Sequence, residues 1–577
     1  MNHDDRVAQE RQAIIEARAR GPLALLKAFM RLSGPGWLQS AITLGGGSLS
    51  SSLYLGVLGG FSLLWLQPVA MILGVVMLSA IGYVALATGE RPFAAINRHV
   101  NPVLGWGWAI ATLMANLVWC LPQYALGTAA IRQNLLPGLV GDESGLPDLT
   151  AKVIVVVVTF ILCGAVVWSY DKGRRGIRIF EVILKIMIGV IVACFFGVVI
   201  VMTMRGALDW GAIFAGLVPD LGLLREPAST YDAILAQAGP YADYWRSRIV
   251  ADQRDVMISA AATAVGINMT FLLPYSMLQK GWGREHRGLA IFDLSTGLFI
   301  PFVLATGCVI IAAGAQFHTK YDPALLDPAL SPAPPASAVN NYNGNLDSRL
   351  RFELGDERFK ALGAEEVSAR RAALPEADRQ LAAMIVRRDA FDLAHSLEPM
   401  TGRAFSHYVF GVGVVGMAVS SIIMLMLING FVFSEIFNAP RGGAVYRLGC
   451  ILPGVFGALG PFIYKGTTQF WLAVPTSVFA FILLPIAYIT FFFMMNSRRL
   501  LGDSMPSGAR RWRWNILMGA AVALAALGSL WSIWSRTQLI PGTEIEVRVL
   551  GFALLGAFIA LAVIVGLIRR GRPDERS

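Results

Sequence analysis

Runs of about 20 apolar residues, the length a helix needs to cross a bilayer core, recur along nearly the whole of this chain. No other feature narrows the fold so far. In hydrocarbon each run must satisfy its own backbone polar groups, and a helix does so within a single segment. The alternating segments of about ten residues that mark a membrane barrel are absent. Charged residues make up 15% of the chain, against roughly 25% in a soluble domain, so the chain is not built to face water all round. The expected fold class is an all-α polytopic membrane protein.

Twelve spans are expected, near residues 38–60, 64–88, 103–130, 153–170, 180–203, 256–279, 289–315, 405–436, 446–463, 470–495, 514–535 and 549–568. With the N-terminus inside, the cytoplasmic segments include Asp171–Arg178, Lys280–Arg287, Asn438–Arg447, Arg498–Arg513 and the tail from Arg569. Lys and Arg against Asp and Glu sum to +16 over the inside segments and −4 over the outside ones. Every even-numbered span therefore ends on a basic loop, as the positive-inside rule requires. Both termini are expected in the cytoplasm, in a bacterial inner membrane. The net charge of +10 is thus accounted for by the bilayer and calls for no nucleic-acid partner.

Residues 1–33 read as a cytoplasmic tail, charged and without a signal-peptide core. Ile14, Ile15, Leu23, Leu25 and Leu26 give it an amphipathic pattern, weaker as a reading than a solvated tail. Residues 204–255 and 316–404 are long outer segments. The second opens on a Pro/Ala/Asn-rich stretch from Pro328 to Asn345 that reads as linker. From Leu346 to Leu397 it turns to Ala, Arg, Glu and Leu, consistent with two or three surface helices. The five cysteines all lie in apolar runs and read as small buried hydrophobes. The six histidines are scattered with no pair at ligand spacing, and no phosphate loop of the G-x-x-x-x-G-K-[ST] type occurs. An enzyme, an ATP-driven pump and a cofactor are therefore not expected.

Chemistry at membrane depth is expected where a span is broken, because unwound backbone offers free N–H and C=O groups. The first span contains Thr43-Leu-Gly-Gly-Gly-Ser-Leu-Ser-Ser-Ser52. Each glycine costs about 1 kcal/mol relative to Ala inside a helix. A packing face of small residues is the bland alternative, but such faces space their glycines by four. The sixth span carries Gly266-Ile-Asn-Met-Thr-Phe-Leu-Leu-Pro274, where Pro274 removes a hydrogen bond to Thr270. Alone this would be a proline kink. Paired with the first span it indicates an inverted repeat, with corresponding interruptions at the substrate site. The repeats would be 34–203 and 256–495, the second interrupted by 316–404, with two further helices and a tail in 496–577.

Gly34-Pro-Gly-Trp-Leu-Gln-Ser-Ala-Ile-Thr-Leu44 resembles the opening of the first span in the Nramp family of metal transporters. Gly60-Phe-Ser-Leu-Leu-Trp65, Gly127-Thr128 with Asn134-Leu-Leu136, and Gly216-Leu-Val-Pro219 are similar to later family segments. The resemblance implies a leucine-transporter-type 5+5 inverted repeat and alternating access. The departures are large. The family's Asp-Pro-Gly-Asn metal motif falls on Gly45-Gly-Gly-Ser48, and its alanine carbonyl and methionine ligands on Ile267 and Thr270, with Met269 one step away. Its acidic proton-pathway positions fall on Leu121 and Tyr124, and its span-six histidines on Leu272 and Met277. In this the chain resembles the Nramp-related magnesium transporters.

The expected substrate site is Thr43, Gly45, Gly46, Gly47, Ser48, Ile267, Asn268 and Thr270. Ser48, Asn268 and Thr270 would meet the metal directly or through water. Three functions follow. The first is proton-independent transport of a divalent cation, with hydrated Mg²⁺ slightly ahead of Mn²⁺ because the site lacks carboxylate and thioether. The others are transport of a small organic solute such as an amino acid, and a transporter-derived sensor. Asp293 and Glu435 are expected near the cytoplasmic interface, and Glu181 and Lys185 as a pair along one helix face. Oligomeric state is not legible in the sequence.

Overall fold

The computed structural model describes residues 3–170, 173–403, 405–463, 471, 473–540 and 543–570. Asp171 and Lys172 of one basic loop, and 571–577 of the tail, lie outside the described residues. Among those described, eleven helices are long and apolar enough to cross a membrane, and a bent pair, Pro35–Thr43 with Gly46–Gly59, supplies a twelfth. Between the described residues the one extended pairing is an isolated bridge from Leu539 to Glu546. The chain is an all-α integral membrane protein of the expected span number.

Two spans are interrupted. The first bends by 57° between its halves, where Gly45 is extended (φ −121°, ψ −177°). Ser48 Oγ caps the second half, accepting from Gly45 N at 3.1 Å and facing the carbonyls of Thr43 and Gly45 at 2.7 and 2.8 Å. Those contacts take up backbone groups that unwinding would otherwise strand in hydrocarbon. The sixth span runs as Ala242–Ala264, is extended at Val265 and Gly266, and resumes as Ile267–Gln279. The interruption is therefore at Val265–Gly266, and Pro274 sits inside the second helix. Pro274 is tolerated there because it removes one hydrogen bond without requiring the chain to leave the helix.

Burial separates core from periphery. Within its most apolar stretch the sixth span is 89% buried, whereas the eleventh is 33% and the twelfth 0%. The fourth and fifth spans, at 39%, are nearly as exposed as the eleventh, so burial sets apart the twelfth alone.

The segment 316–404 is a folded module with five helices rather than two or three, beginning with Ala336–Leu354 inside the expected linker. It is fastened to the long sixth span. Asp378, fully buried, accepts from Trp245 Nε1 at 2.5 Å and pairs with Arg349 Nε at 3.3 Å. The Arg349 guanidinium lies over the Tyr241 ring at 3.1 Å. Arg349 also pairs with Glu353 at 2.9 Å, so Asp378 is the member whose buried charge depends on this single arginine. Tyr54, in the second half of the first span, donates to Arg388 O at 2.6 Å. The N-terminal tail is helical too, as His3–Arg20 and Pro22–Leu32. Arg11 meets Glu285 in the loop after the sixth span at 2.6 Å.

The charged residues of the fifth, seventh and eighth spans have definite partners. Glu181 pairs with Lys280 at 2.7 Å and not with Lys185, which donates to Ser33 O at 3.1 Å. Asp293 is buried and accepts from Ser33 Oγ, from Gly34 N at 3.1 Å and from Gly36 N at 2.6 Å. It therefore caps the half-helix Pro35–Thr43, whose first amides have no partner within the helix. Glu435 faces Arg91 at 3.4 Å.

Candidate functional site

The two interruptions face each other across a cavity of about 30 Å³. Thr43, Gly45, Gly47 and Ser48 contribute from the first span, and Thr263, Gly266, Asn268 and Met269 from the sixth. Trp119 and Gln123 close it from the third span, Ser421 and Leu425 from the eighth. Thr43 Oγ1 donates to Met269 Sδ at 3.0 Å, joining the two breaks directly. Gln123 Oε1 accepts from Gly46 N at 2.8 Å, and Ser421 Oγ donates to Ile42 O at 3.3 Å. A cavity of this size holds about one or two waters.

Of the eight expected residues, Thr43, Gly45, Gly47, Ser48 and Asn268 line this cavity, whereas Gly46, Ile267 and Thr270 do not. Thr270 is turned away. Its Oγ1 accepts from Trp108 Nε1 at 2.9 Å and donates to Ile267 O. The pair that faces the cavity is Gly266 and Met269, again three residues apart but one step earlier in the chain. A shift of one residue turns the side chain by about 100° around the helix, enough to exchange a thioether for a hydroxyl.

Besides Gly266 and Met269, the lining residues missed were Ile42 and Thr263 on the broken spans and Trp119, Gln123, Ser421 and Leu425 on unbroken helices. Gln123 and Trp119 are four apart in the third span, so they share a face, and a glutamine amid apolar residues was the available signal. Ser421 had none, because its neighbours Ser420 and Ile422 are equally buried and equally compatible with a membrane helix.

Asn268 also belongs to a buried amide chain. Its Nδ2 donates to Asn116 Oδ1 at 3.1 Å, and Asn116 Nδ2 donates to Asn429 Oδ1 at 2.8 Å. This ties the sixth span to the third and eighth. None of the side chains lining the cavity is a carboxylate, imidazole or amine. The site offers hydroxyls, amides, carbonyls and one thioether, all neutral.

A broken first span and a broken sixth span meeting over a small cavity is the leucine-transporter-type arrangement. The family model described as natural resistance-associated macrophage protein-like (Nramp) matches residues 36–327 and 378–535, most of the chain. The chain belongs to the Nramp family. The model's gap, 328–377, falls within the outer module of this Nramp protein. A divalent metal cation transporter of Deinococcus radiodurans, MntH, is 26% identical over 317 residues, covering 49% of the chain and 66% of that relative. Metal transporter Nramp3.2 of Populus trichocarpa is 27% identical over 165 residues, 28% of the chain and 30% of its own length. The chain thus spans less than two thirds of the curated relatives it matches. The fold is similar to a crystal structure of the Eremococcus coleocola manganese transporter bound to an aromatic bis-isothiourea compound. That likeness has a TM-score of 0.62 at 16% identity, over 95% of this chain and 97% of the other.

Proposed function

We propose that this Nramp protein is a secondary transporter that carries a divalent metal cation by alternating access, Mn²⁺ in preference to Mg²⁺, without moving a proton. It would do so in a bacterial inner membrane with both termini in the cytoplasm. The observation that carries the reading is Met269 lining the cavity, with its Sδ 3.0 Å from Thr43 Oγ1 across the two breaks. A thioether is a soft donor that favours transition metals over Mg²⁺. The cavity's room for one or two waters also disfavours an ion carried with its whole hydration shell, which Mg²⁺ gives up reluctantly. Hydrated Mg²⁺, the earlier expectation from sequence, therefore ranks second.

Neutral lining groups support the absence of proton coupling, since none of them exchanges a proton near neutral pH. They also imply weak binding, because dipoles alone must replace the water lost by the ion. An amino-acid substrate is less well supported. The cavity is too small for one, and the amides that would greet its carboxylate, Gly45 N and Gly46 N, already donate to Ser48 and Gln123.

The test is uptake by purified protein in liposomes, with Mn²⁺ and Mg²⁺ offered separately and a pH dye inside. Mn²⁺ entry exceeding Mg²⁺ entry, without acidification, is expected. Acidification tracking Mn²⁺ would overturn the uncoupled mechanism, and no entry of either ion would overturn the metal reading.

A further inference from the structure

Outside the central cavity, one group of side chains converges without having served any purpose so far. His395 and Glu398 lie three residues apart on one face of the helix Ala390–Thr401, the last helix of the outer module. Gly402, with φ +81°, ends that helix and lets the chain turn toward the eighth span. His407 stands in the opening turn of that span, Phe405–Val409. One ligand atom from each of His395, Glu398 and His407 lies within 4.8 Å of the others.

The spacing is informative. Glu398 Oε2 is 3.4 Å from His395 Nδ1 and 3.6 Å from His407 Nε2. Both are longer than a good N–H···O hydrogen bond, about 2.7–3.2 Å. They are close to the edge of the tetrahedron that ligands form around zinc, about 3.3 Å for bonds of 2.0–2.1 Å. His407 Nε2 is buried and has no hydrogen-bond partner among the described residues, Glu398 Oε2 lying 3.6 Å away. The two imidazoles meet edge to face, with ring centroids 4.9 Å apart, so Glu398 stands against both at once.

We infer that His395, Glu398 and His407 form a binding site for a zinc-type transition dication at the junction of the outer module and the eighth span. Three protein ligands and an open fourth position are the pattern of zinc sites that keep a water. The exposure gradient fits, with the side chains 66%, 34% and 16% exposed from His395 through Glu398 to His407. The most exposed of the three, His395, lies toward solvent and the least exposed, His407, opens the eighth span. The His407 carbonyl accepts from Asn134 Nδ2 of the third span at 3.4 Å, which helps fix the turn.

The consequence is mechanical. A bound ion joins the outer module to the eighth span. That helix runs from His407 to Ser421, 14 residues or about 21 Å further on, where it borders the central cavity. The inference does not rest on the transport reading, because its ligands are separate from the cavity and its readout is binding.

The test uses the full chain in lipid nanodiscs, stripped with chelator and titrated with Zn²⁺ by calorimetry in excess Mg²⁺. His395→Ala and Glu398→Gln are compared with wild type. His395 is exposed and Gln keeps the shape of Glu398, so both variants retain the fold. Saturable zinc binding by wild type, weakened about ten-fold or more in each variant, is expected. Zinc X-ray absorption on wild type should show two imidazole ligands. Absence of zinc binding by wild type, or wild-type affinity in either variant, overturns the site.

Discussion

The first span is interrupted at Leu44 and Gly45, where a run of three glycines begins, while the sixth is interrupted at a valine and a single glycine. Both breaks nonetheless meet the same requirement. A Cβ at Gly45 would lie 2.2 Å from Ser421 Oγ on the eighth span, and one at Gly266 would lie 2.3 Å from the Trp119 ring on the third. The third and eighth spans are the third helices of the two repeats, so each break is pressed against the corresponding helix of the opposite repeat. What differs is chemistry. The first break is polar and capped by its own Ser48, whereas the sixth rests on an indole and presents a thioether. The comparison teaches that at both breaks a glycine also makes room for a neighbouring helix, a closeness that Gly74 and Gly430 show inside unbroken helices too.

Substitutions can separate these factors. The largest effect is expected where a side chain is forced into the crowded breaks. Gly45→Leu and Gly266→Ala should each cut Mn²⁺ uptake to about a tenth or less, with overpacking costs of about 1–3 kcal/mol. Liposome flux measured beside size-exclusion profiles checks this, and normal flux in both variants would remove the breaks from the mechanism. Next, Met269→Leu keeps the volume but removes the sulfur. The half-saturating Mn²⁺ concentration should rise about ten-fold, equivalent to 1.4 kcal/mol, while that for Mg²⁺ stays within about two-fold.

Smaller effects are expected at the residues that sequence pointed to and the cavity does not use. Thr270→Val leaves Trp108 Nε1 unpaired and should cost about 1–3 kcal/mol of stability, read as a lower melting temperature with unchanged half-saturation. A rise in half-saturation equal to that of Met269→Leu would return Thr270 to the site. Pro274→Ala should be the mildest, with flux within about two-fold of wild type, because the helix there is already continuous. Loss of flux in that variant would make the proline, not Gly266, the functional interruption.

Much of this was legible from residues alone. Span number follows from run length, because a bilayer fixes how many apolar residues a helix needs. The break in the first span was legible because three adjacent glycines have no good use within a helix. The neutrality of the site was legible as well, since by the Nramp resemblance Gly45 falls where the family carries its aspartate. The register of the sixth span was not. A helix buried on nearly all sides has no polar face to betray its orientation, so Thr270 and Met269 were equivalent on paper.

The sequence by itself determined a twelve-span helical membrane protein with a paired interruption and an uncharged centre. Those are properties of local composition, set by solvation of the backbone and by helix propensity. The tertiary structure decided which face of the sixth span meets the cavity, and that Gln123 and Ser421 complete it. It also brought His407 to His395 and Glu398, which the spacing of the histidines gave no reason to expect. Each of those depends on how separate helices rotate and pack against one another, and that is settled by contacts between segments far apart in the chain.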